Sequence, residues 1–156
     1  MKQGMDSTLI RDLQLEDLES LLLIEHVCFP LPRSREMLSG ELESADTSIF
    51  GVFLAEELLA YCSFLLVLDE MHLLRLCTNP THRRSGLART LLRELVARGN
   101  VIRAHQILLE VAANNYEAIE LYRSFDFKLI GRRAGYYAYE GQDALLYSLF
   151  LNNSSN

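Results

Sequence analysis

Three consecutive stretches decide the architecture: Met71-His72-Leu73-Leu74-Arg75-Leu76-Cys77-Thr78, Arg83-Arg84-Ser85-Gly86-Leu87-Ala88-Arg89, and Leu91-Leu92-Arg93-Glu94-Leu95-Val96. The first reads as a strand that Asn79-Pro80 ends, the second as a basic loop with one glycine, and the third as a helix. Leu87, Leu91 and Leu95 fall on one helical row and Ala88, Leu92 and Val96 on the next, so residues 87–98 carry a broad apolar stripe, with Gly99 as the expected stop. A helix start leaves its first N–H groups without intrahelical partners and binds anions. Gly86 allows close approach to the backbone, and Arg83, Arg84 and Arg89 add positive charge at the same place. The expected guest is a phosphate. Solvated arginines on a surface loop explain the stretch equally well, because no complete P-loop pattern is present.

Working outward, 156 residues suit one domain with a substantial core, and 49% hydrophobic with 23% charged residues is ordinary globular usage. No apolar run reaches the roughly 18 residues that span a bilayer, and the first residues are polar and acidic, so a soluble, unexported chain is expected, with no membrane partner. Cys28, Cys62 and Cys77 are odd in number and lack Cys-x-x-Cys spacing, which points to buried, reduced thiols. The four histidines lack ligand spacing, so no metal site is expected. A net charge of -6 argues against a nucleic-acid partner and favours basic substrates.

Before the deciding stretch, residues 9–12 suit an edge strand. Asp17, Leu18, Leu21, Leu22, Ile24 and Glu25 recur as in an amphipathic helix that ends near Phe29, because Pro30 and Pro32 disfavour helix before them. Ser34 is a plausible N-cap for a second helix bearing Met37, Leu38 and Leu42. Residues 48–55, 58–68 and 71–78 read as three strands joined by spacers so short that they imply an antiparallel meander. After the deciding stretch, residues 106–112 form a strand that should lie parallel beside the one ending at Thr78. A helix follows over 114–124, with Asn114 and Glu117 near a capping box, then a hairpin of residues 127–139 and 143–150 and a frayed tail over 152–156.

Two residues stand out chemically. Glu110 interrupts the run Ile107-Leu108-Leu109-Val111, where an unpaired carboxylate would tend to hold a proton, as a general base near neutral pH requires. A strand-end glutamate that reaches solvent or an arginine is the competing reading. Tyr122, on the next helix, should point towards the sheet, where tyrosines are more often core residues than proton donors. Tyr136 and Tyr137 suit either a recognition surface or cross-strand packing.

Taken together, Leu76-Cys77-Thr78, Arg83-x-x-Gly86-x-Ala88, Leu109-Glu110-Val111, Asn115 and Leu121-Tyr122 resemble the GNAT superfamily of acetyl-CoA-dependent N-acetyltransferases. Within it, Phe29-Pro30-x-Pro32-x-Ser34, Ala118-Ile119-x-Leu121-Tyr122, Gly131-Arg132-Arg133-x-x-Tyr136-Tyr137 and Asp143-Ala144 are most similar to the ribosomal-protein-alanine (RimI-like) branch. The likeness runs from about residue 9 to 149. It implies that Leu76, Cys77 and Thr78 offer backbone groups to the pantetheine arm of acetyl-CoA. By the same resemblance Arg83, Arg84, Ser85, Gly86, Leu87, Ala88 and Arg89 hold its pyrophosphate, and Asn115 touches the cofactor. Glu110 would be general base and Tyr122 the acid that protonates the leaving thiolate. Pro30, Pro32 and Arg33, with Tyr136 and Tyr137, would wall the acceptor groove. Arg33 stands where relatives often carry Trp, Ala112 where they usually carry Arg, and Ser85 where a basic or Gly residue is common.

The resulting expectation is an α/β GNAT fold in a single domain with a core over about 9–150. Its sheet is mixed and mostly antiparallel, flanked by helices and split between two central parallel strands. The expected function is acetyl transfer to a protein N-terminal α-amine, that of a small-subunit ribosomal protein ending in Ala, by a cytoplasmic monomer or weak dimer. The alternatives are a GNAT acting on lysine or a small amine, and a non-catalytic acyl-CoA-binding module.

Overall fold

The computed structural model describes residues 7–137 and 141–151. Among the described residues, seven strands make one sheet in the order β1-β2-β3-β4-β5-β7-β6. They are β1 (Thr8–Asp12), β2 (Thr47–Leu54), β3 (Glu57–Val67), β4 (Glu70–Thr78), β5 (Gln106–Ala112), β6 (Lys128–Tyr137) and β7 (Gln142–Phe150). The helices are α1 (Leu18–Cys28), α2 (Arg35–Glu43), α3 (Leu87–Val101) and α4 (Tyr116–Ser124). The mixed, mostly antiparallel sheet expected from the sequence is present, with β4 and β5 as its parallel pair. Residues 138–140, at the tip of the expected hairpin, and the tail 152–156 lie outside the described residues.

The chain gathers into two compact units. The first comprises Met1–Leu65 and Leu74–Leu95. Here β1 and β2 pair antiparallel although α1 and α2 lie between them in the chain, and β2 and β3 pair antiparallel because the two-residue spacer between them allows only a tight turn. Leu13, Leu21, Ile24, Leu38, Ile49, Phe53, Leu58 and Tyr61 form its core cluster. The α3 stripe read from the sequence is also buried, at Leu87, Leu91, Leu92 and Leu95. α1 stops before Pro30, and Ser34 caps α2 by accepting the Met37 N–H at 3.2 Å.

The second unit comprises Leu66–Leu73 and Val96–Asn156. Within it Glu70, Met71 and His72 run parallel to Gln106, Ile107 and Leu108. β7 lies between β5 and β6 and is antiparallel to both. Ile107, Leu109 and Val111 are buried on one face of β5, whereas Gln106, Leu108, Glu110 and Ala112 are half-buried on the other.

Two sequence expectations need correction in this unit. Gly99 does not stop α3, which continues to Val101. Gly99 is buried where a Cβ would come within 2.5 Å of Leu151 Cδ1 and 2.9 Å of Met71 Sδ, so close packing rather than chain reversal requires it. The chain turns instead at Arg103, with φ of 58°, and the Ala104 N–H closes the end on the Gly99 carbonyl at 2.9 Å. The second correction concerns α4. Its cap is Asn115, not Asn114, because the Asn115 side chain accepts the Ala118 N–H at 3.3 Å.

Candidate active site

In the first unit, β4 delivers Leu76, Cys77 and Thr78 as half-buried residues. The Thr78 carbonyl accepts the Cys28 thiol at 3.4 Å. Cys28 and Cys77 are themselves hydrogen-bonded, which holds the Cys28 thiol below its usual range and, together with burial, pushes that of Cys77 up. Both are half-buried and only Cys62 is buried, so two of the three cysteines are more accessible than their apolar sequence contexts suggest.

A short 3-10 turn at Pro80–His82 leads into the basic loop. Arg83, Arg84, Ser85 and Gly86 are exposed, and Ser85 donates its hydroxyl to the His82 carbonyl. Gly86 has φ of +81°, a left-handed conformation that side chains disfavour, and Arg84 shares it at 62°. The Gly86 carbonyl then accepts the Thr90 N–H at 3.0 Å and the Thr90 hydroxyl at 2.9 Å, which starts α3. Leu87 is buried, Ala88 half-buried and Arg89 exposed. The glycine conformation, exposed arginines and helix start are together the donor set that a pyrophosphate needs.

The proline-rich loop also belongs to this unit. Pro30 is exposed and Pro32 half-buried. Arg33 is half-buried too, with its guanidinium Nη1 2.6 and 2.7 Å from the two Glu41 carboxylate oxygens. Burial pushes the Glu41 carboxyl up against the opposing pull of the Arg33 charge. The sequence reading missed Glu25. It appeared there only as part of an amphipathic repeat, yet it is fully buried and accepts the Tyr61 hydroxyl and the Arg33 backbone N–H. The signal was available: a carboxylate directly after Ile24 in the apolar stripe is a buried charge in need of partners.

In the second unit, Glu110 is not an isolated carboxylate. Its side chain is 28% exposed, and Arg133 on β6 places Nη1 3.3 Å away. Period-two alternation puts Glu110 on the less buried face of β5, and that decides its setting more than its apolar neighbours in sequence. Tyr122 is buried on α4 with its ring 5.7 Å from that of Phe127. Asn115 is exposed at the start of the same helix. Tyr136 is exposed on β6, with the Arg133 guanidinium 5.4 Å from its ring, and Tyr137 pairs with Gln142 in the strand register. The Tyr137 side chain lies outside the described residues. Asp143 closes the base of this hairpin by accepting the Gly135 N–H at 2.7 Å and Arg132 Nε at 2.6 Å.

The sequence profile of the acetyltransferase (GNAT) family matches residues 15–127, and the chain belongs to that family. It is an acetyl-CoA-dependent N-acetyltransferase. Among its relatives, a Bacillus subtilis (strain 168) protein provisionally named ribosomal protein bS18-alanine N-acetyltransferase is 29% identical over 144 residues, covering 92% of this chain and 95% of its own. The crystal structure of the ribosomal-protein-S18-alanine N-acetyltransferase from Escherichia coli superposes with a TM-score of 0.88 at 27% identity, over 96% of this chain and 97% of that one. Arabidopsis thaliana NAA60, in complex with a bisubstrate analogue, gives 0.85 at 25% identity over 94% and 99%. Among the described residues no helix is long and apolar enough to cross a membrane.

Proposed function

We propose that the chain acts as a single N-acetyltransferase domain that transfers the acetyl group of acetyl-CoA to the α-amine of a protein N-terminus. The observation that carries this reading is the likeness over nearly the whole chain to the E. coli S18-alanine enzyme. The finer assignment is an acceptor beginning with Ala from a small-subunit ribosomal protein, modified in the cytoplasm by a monomer or weak dimer.

In this reading residues 83–89 hold the pyrophosphate, residues 76–78 present backbone groups to the pantetheine arm, and Asn115 adds a contact. The acceptor nitrogen attacks the thioester carbonyl carbon, a C–N bond forms and the C–S bond breaks. Glu110 takes the amine proton, and Tyr122 donates a proton to the departing thiolate. The donation is chemically matched, since a phenol of pKa about 10 can protonate a thiolate whose conjugate acid lies near 8.5. Pro30, Pro32, Arg33, Tyr136 and Tyr137 contact the acceptor. An α-amine suits one carboxylate base better than lysine does: with pKa values of about 7.7–8.0 and about 10.4, roughly a tenth of α-amines but well under a thousandth of lysines are neutral at pH 7. The net charge of -6 favours a basic peptide behind that amine.

The test is an acceptor screen with acetyl-CoA, comparing N-terminal peptides, N-blocked lysine peptides and small amines. Turnover is expected with free N-termini, Ala first. Turnover confined to the lysine peptides or small amines would replace this reading, and binding of acetyl-CoA without turnover of any acceptor would favour a binding module.

A further inference from the structure

Glu25 is a costly residue for its place. It sits in the last turn of α1, where the helix dipole disfavours an acid, and it is fully buried. An apolar side chain would pack there, and buried ion pairs are a weak source of stability compared with such packing. What the carboxylate does provide is attachment. Oε1 accepts the Tyr61 hydroxyl from β3 and lies 3.7 Å from Arg75 Nε on β4, while Oε2 accepts the Arg33 N–H at 3.1 Å.

The loop between α1 and α2 needs such an attachment. Pro30 and Pro32 have no N–H, so the backbone here has little to bind with on its own account. Its two ends meet on one residue: the Phe29 N–H donates to the Glu25 carbonyl at 3.0 Å, and the Arg33 N–H to the Glu25 carboxylate. The Phe29 ring lies under the Arg75 guanidinium at 3.9 Å, so Arg75 grips the first end while it neutralises the group that grips the second. Held this way, the loop presents Leu31 outward, 63% exposed. Arg75 directly precedes Leu76-Cys77-Thr78, so the same cluster joins the loop to the strand segment assigned to the pantetheine arm.

We propose that Glu25 is a positioning residue for acceptor recognition, whose carboxylate pins the Arg33 end of the proline loop directly, pairs with the Arg75 that holds the Phe29 end, and so sets where Leu31 stands. The inference rests on the N-acetyltransferase reading and deepens it. Fully satisfied buried networks specify one arrangement, and losing a charged acceptor weakens a hydrogen bond by roughly half. Glu25→Gln is therefore expected to raise KM for the acceptor about tenfold, while kcat at saturating acceptor and the acetyl-CoA Kd stay within about twofold. Tyr61→Phe, which frees the carboxylate to turn, is expected to raise the same KM about threefold.

Hydrogen exchange gives a second readout that needs no substrate. The Arg33 amide should exchange about tenfold faster in Glu25→Gln, with amides in the middle of α1 unchanged. If Glu25→Gln is recovered unfolded, Tyr61→Phe decides with both readouts. Acceptor KM within twofold of wild type in the folded variants, or exchange accelerated uniformly through the first unit, would overturn the proposal. Should the screen return a lysine or small amine as acceptor, the N-terminal reading fails, and the same KM comparison with that acceptor still decides on Glu25.

Discussion

Replacing Gly86 by alanine isolates backbone conformation from space. The residue has φ of +81°, and a Cβ built on it meets no atom within 4 Å, so alanine adds strain without a collision. The left-handed conformation costs an L-residue roughly 1–2 kcal/mol. That strain has two places to appear. If α3 and the Thr90 bonds to the Gly86 carbonyl hold the loop in its present form, the fold bears the whole cost, and for a chain of this size the melting temperature falls by about 2–8 °C with acetyl-CoA affinity unchanged. If the loop relaxes to negative φ, stability is kept and the same 1–2 kcal/mol appears as a Kd about 5–30 times higher, because the pyrophosphate donors are displaced. Calorimetric melting and acetyl-CoA titration of one preparation measure both, and the two losses should sum to roughly 1–2 kcal/mol. Gly86→Asn should lose less, since asparagine tolerates this region, and Gly86→Glu, which adds an anion beside the phosphates, should bind no measurable acetyl-CoA. An alanine variant with both melting temperature and affinity at wild-type values would show that the loop conformation matters to neither.

Tyr122→Phe removes a donor while keeping the ring that packs on Phe127, so kcat should fall by about 10²–10⁴ with acetyl-CoA affinity unchanged, and Glu110→Gln should also lower kcat; pre-steady-state rates equal to wild type in both would displace the proposed proton-transfer pair. Gly99→Ala should cost about 1–3 kcal/mol in urea unfolding, because Leu151 and Met71 must move aside from a Cβ otherwise 2.5 and 2.9 Å away, and an unchanged midpoint would mean that they yield freely. The Asp143 carboxyl is held below its usual value first by the Gly135 N–H and then by Arg132. Its contribution to hairpin stability is therefore present above the ordinary aspartate range and lost as pH falls through the lowered folded value, so the Gly135 amide resonance should titrate below the usual aspartate pKa, and titration at or above it would break the assignment.

The elements were legible where chemistry is local. Short acidic spacers gave the β2–β4 order, the leucine rows of α3 gave its buried stripe, and Ser34 gave the start of α2. The glycine of the basic loop was legible for the same reason, since its conformation follows from the turn it makes. What stayed hidden depends on partners distant in sequence. Gly99 looks like a helix stop until Leu151 and Met71 are found against it. Glu110 looks stranded among apolar residues until Arg133 arrives from β6. Glu25 looks like a surface residue of an amphipathic helix until Tyr61 and Arg75 close over it. The insertion of β7 between β5 and β6 is likewise a choice that a hairpin reading leaves open.

The claim that the acceptor is an α-amine is tested most directly by one competition within a single molecule. A peptide bearing a free N-terminal Ala and an internal Lys is incubated with the enzyme and acetyl-CoA, and the acetylated position is located by tandem mass spectrometry. The acetyl group is expected on the N-terminal Ala, with the lysine left free. Acetylation mainly on the lysine, with the N-terminus untouched, would overturn the acceptor assignment while leaving the acetyl-CoA loop and its tests in place.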